Sequence, residues 1–375
     1  MITAIFLPGL YGSTLHSERN GARRWPALGE ILFRRRTLAA SAEDTLRAGS
    51  VLDRFVVVPG VYSVDVYGDA LTNLRRRVGA NVQWREFAYD WRSELSIQAH
   101  SLDAAVDAEL ARGRRVALVA HSLGGLLACY YLRYGNQRIE QARETWAGAA
   151  KVDRVVLAGV PFGGSALALV DLVDGRRVAG NGRMLDAATY RSFGATWQLL
   201  PADAPLIDSK AVTEPMDLFD PREWQRLGLV PAATDVTQSL AVASSLRMLL
   251  ARAPSAPPSR RVPMLLVQGR GRPTLERVIR HTGANGKLLI DNVQQWRRID
   301  AKAAHERHLF GDGDGVVTVG ASAAPSVWSE VTSVQTLQIP RGHRRLLHDP
   351  IVQEQVALLL GPDGDGRAAP VVPSA

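Results

Sequence analysis

The sequence predicts an α/β protein with a mostly parallel central sheet that carries helices on both faces. Strand-like apolar runs alternate with helix-like segments along most of the 375 residues, a pattern typical of such sheets. With 46% hydrophobic residues, the chain can bury a large core. A serine between small residues, where one apolar run ends and a helical pattern begins, favours the same fold class.

The N-terminal half contains both strand-like and helix-like segments. In chain order they are a strand at Ile2–Leu7, a strand at Phe55–Val58, a helix at Val66–Val78, a strand at Val82–Phe87, a helix with the apolar residues Leu95, Ala99, Leu102, Val106 and Leu110, and a strand at Val152–Leu157. Pro-Gly pairs follow the first two strands, at Pro8 and Pro59. We expect Ser93 to cap the second helix and Gly113 to end it.

A helical insertion is predicted between about Ala166 and Ala253, where the strand pattern gives way to helical pieces separated by prolines. We interpret it as a cap inserted into one α/β domain that covers residues 1–360. The strand pattern resumes at Met264–Val267, Lys287–Ile290 and Val331–Ile339, and a closing helix is expected at Pro350–Leu360. Residues 361–375 are rich in glycine and proline, which predicts a disordered tail.

Composition argues against several classes of protein. The net charge of +8 comes almost wholly from arginine in short dispersed clusters, and no nucleic-acid-binding motif accompanies them, so we predict no nucleic-acid partner. The lone Cys129 excludes an internal disulfide framework and favours core packing and a cytoplasmic location. The N-terminus has no signal-peptide pattern, and no apolar run reaches the roughly 18 residues of a membrane span. We therefore expect a soluble protein or one that contacts a membrane peripherally.

The segment VALVAHSLGG, Val116 to Gly125, has the pattern of a nucleophile elbow. A serine on a strand-to-helix turn adopts a strained backbone conformation, so the residues two before and two after it must be small. Here they are Ala120 and Gly124, which makes Ser122 the candidate nucleophile. The backbone N–H of Leu123, at the start of the helix, would face a developing oxyanion.

An elbow serine requires a histidine as base and a carboxylate that orients it, and α/β-hydrolases supply them later in the chain in the order acid, then histidine. Asp314 in FGDGDGVV is our choice for the acid, with Asp312 as the alternative. His343 follows the last strand and a glycine, so we assign it as the base. His348 is the alternative, although Asp349 and Pro350 beside it suit a helix start. His121 is expected to pack within the elbow.

Two other interpretations of these segments are weaker. The residues His305, His308, Asp312 and Asp314 match neither a zinc signature nor a calcium-binding loop. The string GRGRPT from Gly269 lacks the third glycine of a dinucleotide fingerprint and lies far from the first strand, so we predict a turn. The sequence thus predicts neither a metal nor a cofactor.

Short motifs occur around these residues in a specific order: FLPGLYGSTL from Phe6, YSVDVYGDAL after Pro59, AYDWR from Ala88, AHSLGG, GVPFGGS, ATWQLLP from Ala195, GDGDGVV and GHRRLLHDP. Together, from Ile2 to about Leu360, they resemble the lecithin:cholesterol acyltransferase family, which includes phospholipases, acyltransferases and bacterial relatives. The resemblance implies a triad of Ser122, Asp314 and His343. It also implies an oxyanion hole made by the N–H groups of Leu123 and Leu10.

The resemblance has further implications and some departures. It places a lipid-contacting region at Trp25 to Phe33, within a loop at about residues 16–50, and Arg34 to Arg36 follow it; an amphipathic piece packed on the core is the alternative. We expect Asp90 and Arg92 to form a structural ion pair. The chain cannot form the lid disulfide of secreted relatives, and Val316 stands where the family often has threonine.

The leading hypothesis is a serine esterase or acyltransferase that acts on lipid acyl esters through an acyl-enzyme. The partner it implies is a lipid or other acyl-ester substrate; the sequence names no protein partner. A hydrolase of non-lipid esters or amides is one alternative. A non-catalytic binding module on a hydrolase scaffold is the other, since fold does not fix function.

Overall fold

The computed structural model describes residues 1–27, 37–40, 45–58, 62–178, 181–202, 206–208, 213–214, 216–282, 288–290 and 309–361. Six strands form a central sheet in which every neighbouring pair is parallel. In chain order they are β1 Ile2–Leu7, β2 Val82–Glu86, β3 Arg115–His121, β4 Val152–Ala158, β5 Pro263–Gly269 and β6 Ser333–Ile339. Across the sheet the order is β6-β5-β4-β3-β1-β2. The predicted parallel α/β architecture is therefore confirmed.

Side chains of β1 alternate between two hydrophobic cores, one on each face of the sheet. Ile2, Ala4 and Phe6 belong to one core, and Ile5 and Leu7 belong to the other. Because successive strand residues point to opposite faces, a strand covered on both sides must be apolar throughout, as ITAIFL largely is. Both cores draw on strands from the whole length of the chain.

Helices cover both faces of the sheet. In chain order the α-helices of the described residues are α1 Gly68–Val78, α2 Leu95–Leu110, α3 Leu123–Tyr134, α4 Ala147–Lys151, α5 Ala166–Asp174, α6 Ala187–Arg191, α7 Gly194–Gln198, α8 Pro221–Arg226, α9 Thr237–Ala251, α10 Val327–Val331 and α11 Pro350–Leu360. Helices α1 and α11 pack together on the face of Ile2 and Phe6. Helices α2 and α3 pack together on the opposite face.

The predicted cap on α2 is wrong. Glu94, not Ser93, occupies the N-cap position, and no side chain of that residue bonds to the helix. The N–H of Leu95 instead donates to Oε1 of Gln198 at 3.0 Å, more than a hundred residues along the chain. A tertiary contact thus replaces the local cap. At the other end, Gly113 follows the helix with a φ of 70°, as expected of a stop residue.

The segment between β4 and β5 contains α5 to α9, but it also contains short strands that the sequence does not indicate. Arg176–Val178 pairs antiparallel with Asn181–Leu185. Leu206–Asp208 pairs with Thr213–Glu214 and runs parallel to Val278–Thr282. The expectation of a purely helical segment is therefore wrong. Leu288–Ile290 is a strand, as predicted, but it pairs with Val278–Thr282 rather than with the central sheet.

The N-terminal region between β1 and α1 contains small antiparallel sheets. Ser13–Ser17 pairs with Arg23–Trp25 and with Leu46–Val51, and Arg54–Val58 pairs with Tyr62–Asp65. Trp25 is only 8% exposed and donates its indole N–H to the carbonyl of Tyr11 at 3.0 Å. The start of the predicted lipid-contacting segment thus belongs to the core, and residues 28–36 lie outside the described part of the chain.

Several smaller expectations concern single residues. Cys129 is fully buried, and burial raises the pKa of its thiol. The GRGRPT string is only partly the turn that the sequence predicts: the chain turns at Arg270 and Gly271, which has a φ of 77°. Its last residues belong to a short strand, Arg272–Leu275, which pairs antiparallel with Phe310–Gly313. Residues 362–375, the predicted disordered tail, lie outside the described residues. No helix among the residues described has the length and apolar character needed to cross a membrane.

The packing of α4 on α3 gives a test of the fold. A Cβ atom on Gly148 would overlap the carbonyl oxygen of Tyr131, whereas a Cβ on Gly320 would meet nothing within 4 Å. We expect Gly148→Ala to lower the free energy of unfolding by about 1–3 kcal/mol, because the two helices must move apart. Gly320→Ala should change it by less than about 0.5 kcal/mol. Urea denaturation of both variants measures the difference, and equal stabilities would contradict the observed packing.

Candidate active site

Ser122 lies on the tight turn between β3 and α3. Its φ of 54° and ψ of −124° are rarely adopted by residues other than glycine. Its N–H donates to the carbonyl of Ala158, the last residue of β4, at 2.8 Å. The serine is partly exposed, whereas the apolar residues of the strand before it are buried. The strand–turn–helix that the sequence predicts is therefore present, with the backbone strain that such an elbow requires.

Close packing explains why small residues are needed around Ser122. A Cβ atom on Gly124 would lie 2.6 Å from the carbonyl oxygens of both Leu7 and Pro8. A Cβ on Gly9 would lie 2.8 Å from the Cβ of Ser122. The turn after β1 thus contacts the elbow directly, and glycines at both positions permit this approach.

The same approach brings two backbone N–H groups to the elbow. Leu123 is the first residue of α3, so its N–H has no acceptor within the helix. Leu10 follows Gly9 in the turn after β1. Among the described residues, neither N–H donates a hydrogen bond to another protein group. The N–H of Leu123 lies at the N-terminus of α3, where the helix dipole favours negative charge.

His343 and Asp314 form a buried pair. Nδ1 of His343 lies 2.7 Å from Oδ2 of Asp314, and the N–H of His343 donates to the Asp314 carbonyl at 2.9 Å. The other carboxylate oxygen of Asp314 accepts from the N–H groups of Val316 and Val317 at 2.9 and 2.8 Å. Burial acts to raise the pKa of Asp314, but His343 and the two N–H groups outweigh it and lower that pKa. Asp314 is therefore an ionised acceptor that fixes the ring of His343.

The two alternative residues occupy other places. Asp312 is exposed, and its Oδ1 accepts a hydrogen bond from the N–H of Gly271. His348 pairs with a different carboxylate, because its Nε2 lies 2.6 Å from Oδ2 of Asp65. Asp349 accepts from the N–H of Ile351 at 2.9 Å and caps α11, as expected of a helix start. Of the suggested metal ligands, Asp314 is bonded to His343, and His305 and His308 lie outside the described residues.

The carboxyl edge of the sheet brings His343 next to the elbow. A Cβ on Gly159, the residue after β4, would lie 3.0 Å from Nδ1 of His343. The ring of His121, the residue before Ser122, has its centroid 4.7 Å from that of His343. Within the described part of the chain, the Ser122 hydroxyl makes no hydrogen bond. The structure thus joins His343 to Asp314 and packs the ring of His343 against that of His121, the residue before Ser122, without a direct bond between the serine and the histidine.

Sequence reasoning missed a second set of polar groups at the site. Tyr67 lies next to His121, with its hydroxyl 2.8 Å from Nδ1 of the ring, and it accepts from the N–H of Gly9 at 2.9 Å. Nε2 of His121 lies 3.0 Å from the carbonyl of His343. The tyrosine belongs to the YSVDVYGDAL motif, but no spacing rule connects that motif to the elbow. The expectation that His121 packs in the elbow is correct but incomplete.

Asp90 and Arg92 form the expected ion pair. The guanidinium contacts both carboxylate oxygens, at 2.9 and 2.8 Å, and Nη1 donates to the carbonyl of Leu38 at 2.8 Å. Arg92 is 4% exposed, so the pair is nearly buried and its polar atoms are satisfied. The pair therefore has a structural role in joining two loops.

A comparison with known protein families finds a match to the region around the elbow. Residues 63–225 match the lecithin:cholesterol acyltransferase family. The resemblance predicted from the motifs is thus confirmed for this part of the chain. The matched residues include Ser122 but neither Asp314 nor His343, whose relation to the elbow rests on the geometry described above.

A solved structure with a TM-score above 0.5 has a similar fold. A crystal structure of the Tle4–Tli4 complex is similar over 96% of this chain and 97% of that chain, with a TM-score of 0.59 and 14% identity. The mature lipase BlEst2 of Bacillus licheniformis is 13% identical and is covered over 91% of its chain and 96% of this one, with a TM-score of 0.39. Together with the family match, the parallel sheet and elbow establish an α/β-hydrolase fold.

One curated sequence is related at lower coverage. An uncharacterized protein of Saccharomyces cerevisiae is 23% identical over 239 residues, which are 62% of this chain and 34% of that protein. The chain therefore spans about a third of the length of this curated relative.

The buried ring of His121 predicts a dependence of stability on pH. Burial, followed by the charge of His343, lowers the pKa of His121 from 6.5 to about 3. The unfolded chain therefore binds a proton at this residue below about pH 6.5 that the folded chain does not bind, so this contribution to stability is lost as the pH falls.

The variant His121→Gln removes this titratable ring and tests the dependence. We expect the slope of unfolding free energy against pH between pH 6 and 4.5 to be smaller in the variant, by up to about 1.4 kcal/mol per pH unit. Denaturant titrations measure it, and identical slopes would contradict a neutral buried ring.

Proposed function

We propose that this protein is a lipid-acting serine esterase or acyltransferase with Ser122 as nucleophile, His343 as base and Asp314 as the carboxylate that orients the base. The observation that carries the proposal is the 2.7 Å hydrogen bond between His343 and Asp314, at the sheet edge where Ser122 stands on its strained turn. The family match over the elbow supports an acyl ester as substrate. The residue types and their chain order are those of a hydrolase triad.

The geometry defines the protonation state of the base. Asp314 is ionised and can only accept, so Nδ1 of His343 carries the proton and Nε2 is free to accept another. In the reaction, Nε2 takes the hydroxyl proton of Ser122 while the serine oxygen attacks the ester carbonyl. The pair with Asp314 stabilises the imidazolium that forms.

Collapse of the tetrahedral intermediate completes acylation. The negative charge on its oxygen would be stabilised by the N–H groups of Leu10 and Leu123. The bond to the leaving alcohol then breaks, and His343 returns the proton to that alcohol. This leaves the acyl group on Ser122, and water or a second alcohol repeats the steps in the reverse sense.

Hydrolysis and acyl transfer share this acyl-enzyme and differ in what reaches it. Water yields a free acid, and an alcohol held beside the ester yields a new ester. We propose a lipid acyl ester as the donor, and esters without a lipid chain or amides as the alternative substrates. The buried, unpaired Cys129 supports a cytoplasmic location, which we also propose.

Replacement of the nucleophile tests the proposal directly. Ser122→Ala should abolish ester turnover and labelling by a fluorophosphonate, because no other side chain at the elbow can form the covalent adduct. Its thermal midpoint should equal or exceed that of the wild type, since alanine fills the same space. A panel of p-nitrophenyl esters with short and long acyl chains, and the matching anilides, measures turnover and ranks the substrate classes. Labelling that survives the substitution would remove Ser122 from this role.

The choice between two acidic residues of one loop gives a matched pair of variants. Asp314→Asn should lower kcat by about a thousandfold or more, because an amide cannot hold the ring of His343 in the productive tautomer. Asp312→Asn should change kcat by less than about twofold, since its carboxylate is exposed and contacts Gly271. Steady-state kinetics on the best ester of the panel compares them. The reverse ranking would assign the acid to Asp312.

A further inference from the structure

Three consecutive hydrogen bonds connect the turn after β1 to the loop after β6 through the elbow residue His121. They join the N–H of Gly9 to the hydroxyl of Tyr67 at 2.9 Å, that hydroxyl to Nδ1 of His121 at 2.8 Å, and Nε2 of His121 to the carbonyl of His343 at 3.0 Å. All three bonds are buried. We call this set the Tyr67–His121 path.

The direction of each bond follows from the two ends of the path. A peptide N–H can only donate and a peptide carbonyl can only accept. His121 must therefore carry its proton on Nε2 to bond with the His343 carbonyl, which leaves Nδ1 as an acceptor for the hydroxyl proton of Tyr67. The oxygen of Tyr67 in turn accepts from Gly9. One tautomer of His121 satisfies every group along the path.

The surroundings keep both side chains in these states. Burial raises the pKa of Tyr67, so its hydroxyl stays protonated and able to donate. Burial also lowers the pKa of His121 to about 3, so the ring stays neutral. The titratable groups that influence His121 are His343, Asp314 and His348, and Tyr67 is bonded to its ring. A second proton on the ring would sit on Nδ1 and oppose the Tyr67 hydroxyl.

Both ends of the path belong to the proposed catalytic machinery. Gly9 precedes Leu10, whose N–H is a proposed oxyanion donor, and it lies against Ser122. His343 is the proposed base, and its peptide is held on one side by Asp314 and on the other by His121. The turn after β1 and the loop after β6 therefore share a support that passes through His121, the residue before the proposed nucleophile.

We propose that His121 and Tyr67 are positioning residues. They hold His343 and the turn after β1, which carries Leu10, at a fixed distance from each other around Ser122. Neither side chain needs to touch the substrate. This inference rests on the proposed function, because the separation matters only if Ser122, His343 and Leu10 act together. Small displacements of such groups lower the rate of the chemical step more than they affect binding.

Two replacements of His121 separate positioning from mere packing. Glutamine places an amide N–H near the position of Nε2 and can still donate to the His343 carbonyl, whereas the shorter asparagine reaches only the position of Nδ1. We expect His121→Asn to lower kcat by about tenfold to a hundredfold with KM within about threefold. The kcat of His121→Gln should be at least about fivefold higher than that of His121→Asn. Equal kcat for the two variants would overturn the role assigned to the bond with His343.

Two tyrosine variants test the other end of the Tyr67–His121 path. Tyr67→Phe removes one hydroxyl and leaves Gly9 without its acceptor, so kcat should fall about tenfold. Tyr134→Phe removes another buried hydroxyl, which donates to the carbonyl of Leu249 at 2.7 Å far along α3, and should leave kcat within about twofold. A Tyr67→Phe enzyme with wild-type kcat would overturn the proposal.

A spectroscopic measurement tests the path without relying on activity. The ¹⁵N signals of the His121 ring are identified as those that the wild type shows and His121→Gln lacks. They should show the neutral tautomer protonated at Nε2 and should not titrate between pH 5 and 8. A ring that titrates, or one protonated at Nδ1, would contradict the path. If the spectra agree but the wild type neither hydrolyses esters nor labels at Ser122, the proposed function fails while the described tautomer stands, so the two failures are distinguishable.

Discussion

The strained backbone of Ser122 is the constraint on which the site depends. A residue other than glycine at positive φ costs of order 1–3 kcal/mol and persists only where its surroundings hold it. Here the holding groups come from the two parallel strands that flank β3. The carbonyl of Ala158 in β4 accepts a hydrogen bond from the N–H of Ser122, and Gly9 in the turn after β1 packs against the serine. The order β4-β3-β1 in the sheet therefore determines the backbone conformation of Ser122 as well as the fold.

Much of this fold could be predicted from local pattern, because the central strands are buried on both faces and form short, nearly unbroken apolar runs. β1 and α11 have the predicted bounds, and β4 and β6 differ from them by no more than two residues. Part of the candidate site could also be predicted from the sequence. The sequence favours Asp314 over Asp312 and His343 over His348, and the structure bonds Asp314 to His343.

The features that could not be predicted depend on partners distant in the chain. The first N–H of α2, that of Leu95, donates to Gln198, so a nearby serine is not needed to accept it. Trp25 stands at the head of an apolar segment that could equally face lipid, but a carbonyl of the first loop binds its indole. Tyr67 carries no local signal of its role, because its position relative to His121 is set by the packing of α1 beside the sheet. In each case the deciding contact is tertiary, and a pattern read along the chain does not contain it.

The position of β6 at one edge of the sheet has a consequence for how the protein is made. A ribosome delivers the chain from its N-terminus, so β1, β3 and β4 are all available to shape the elbow long before residues 333–343 emerge. Until β6 docks along β5, the nascent polypeptide possesses Ser122 on its turn without the loop that bears His343. Because domains generally fold as units, the candidate site can be complete only once this late C-terminal part has been made. A premature stop or a proteolytic cut after β5 would thus release a fragment that contains Ser122 but lacks both Asp314 and His343.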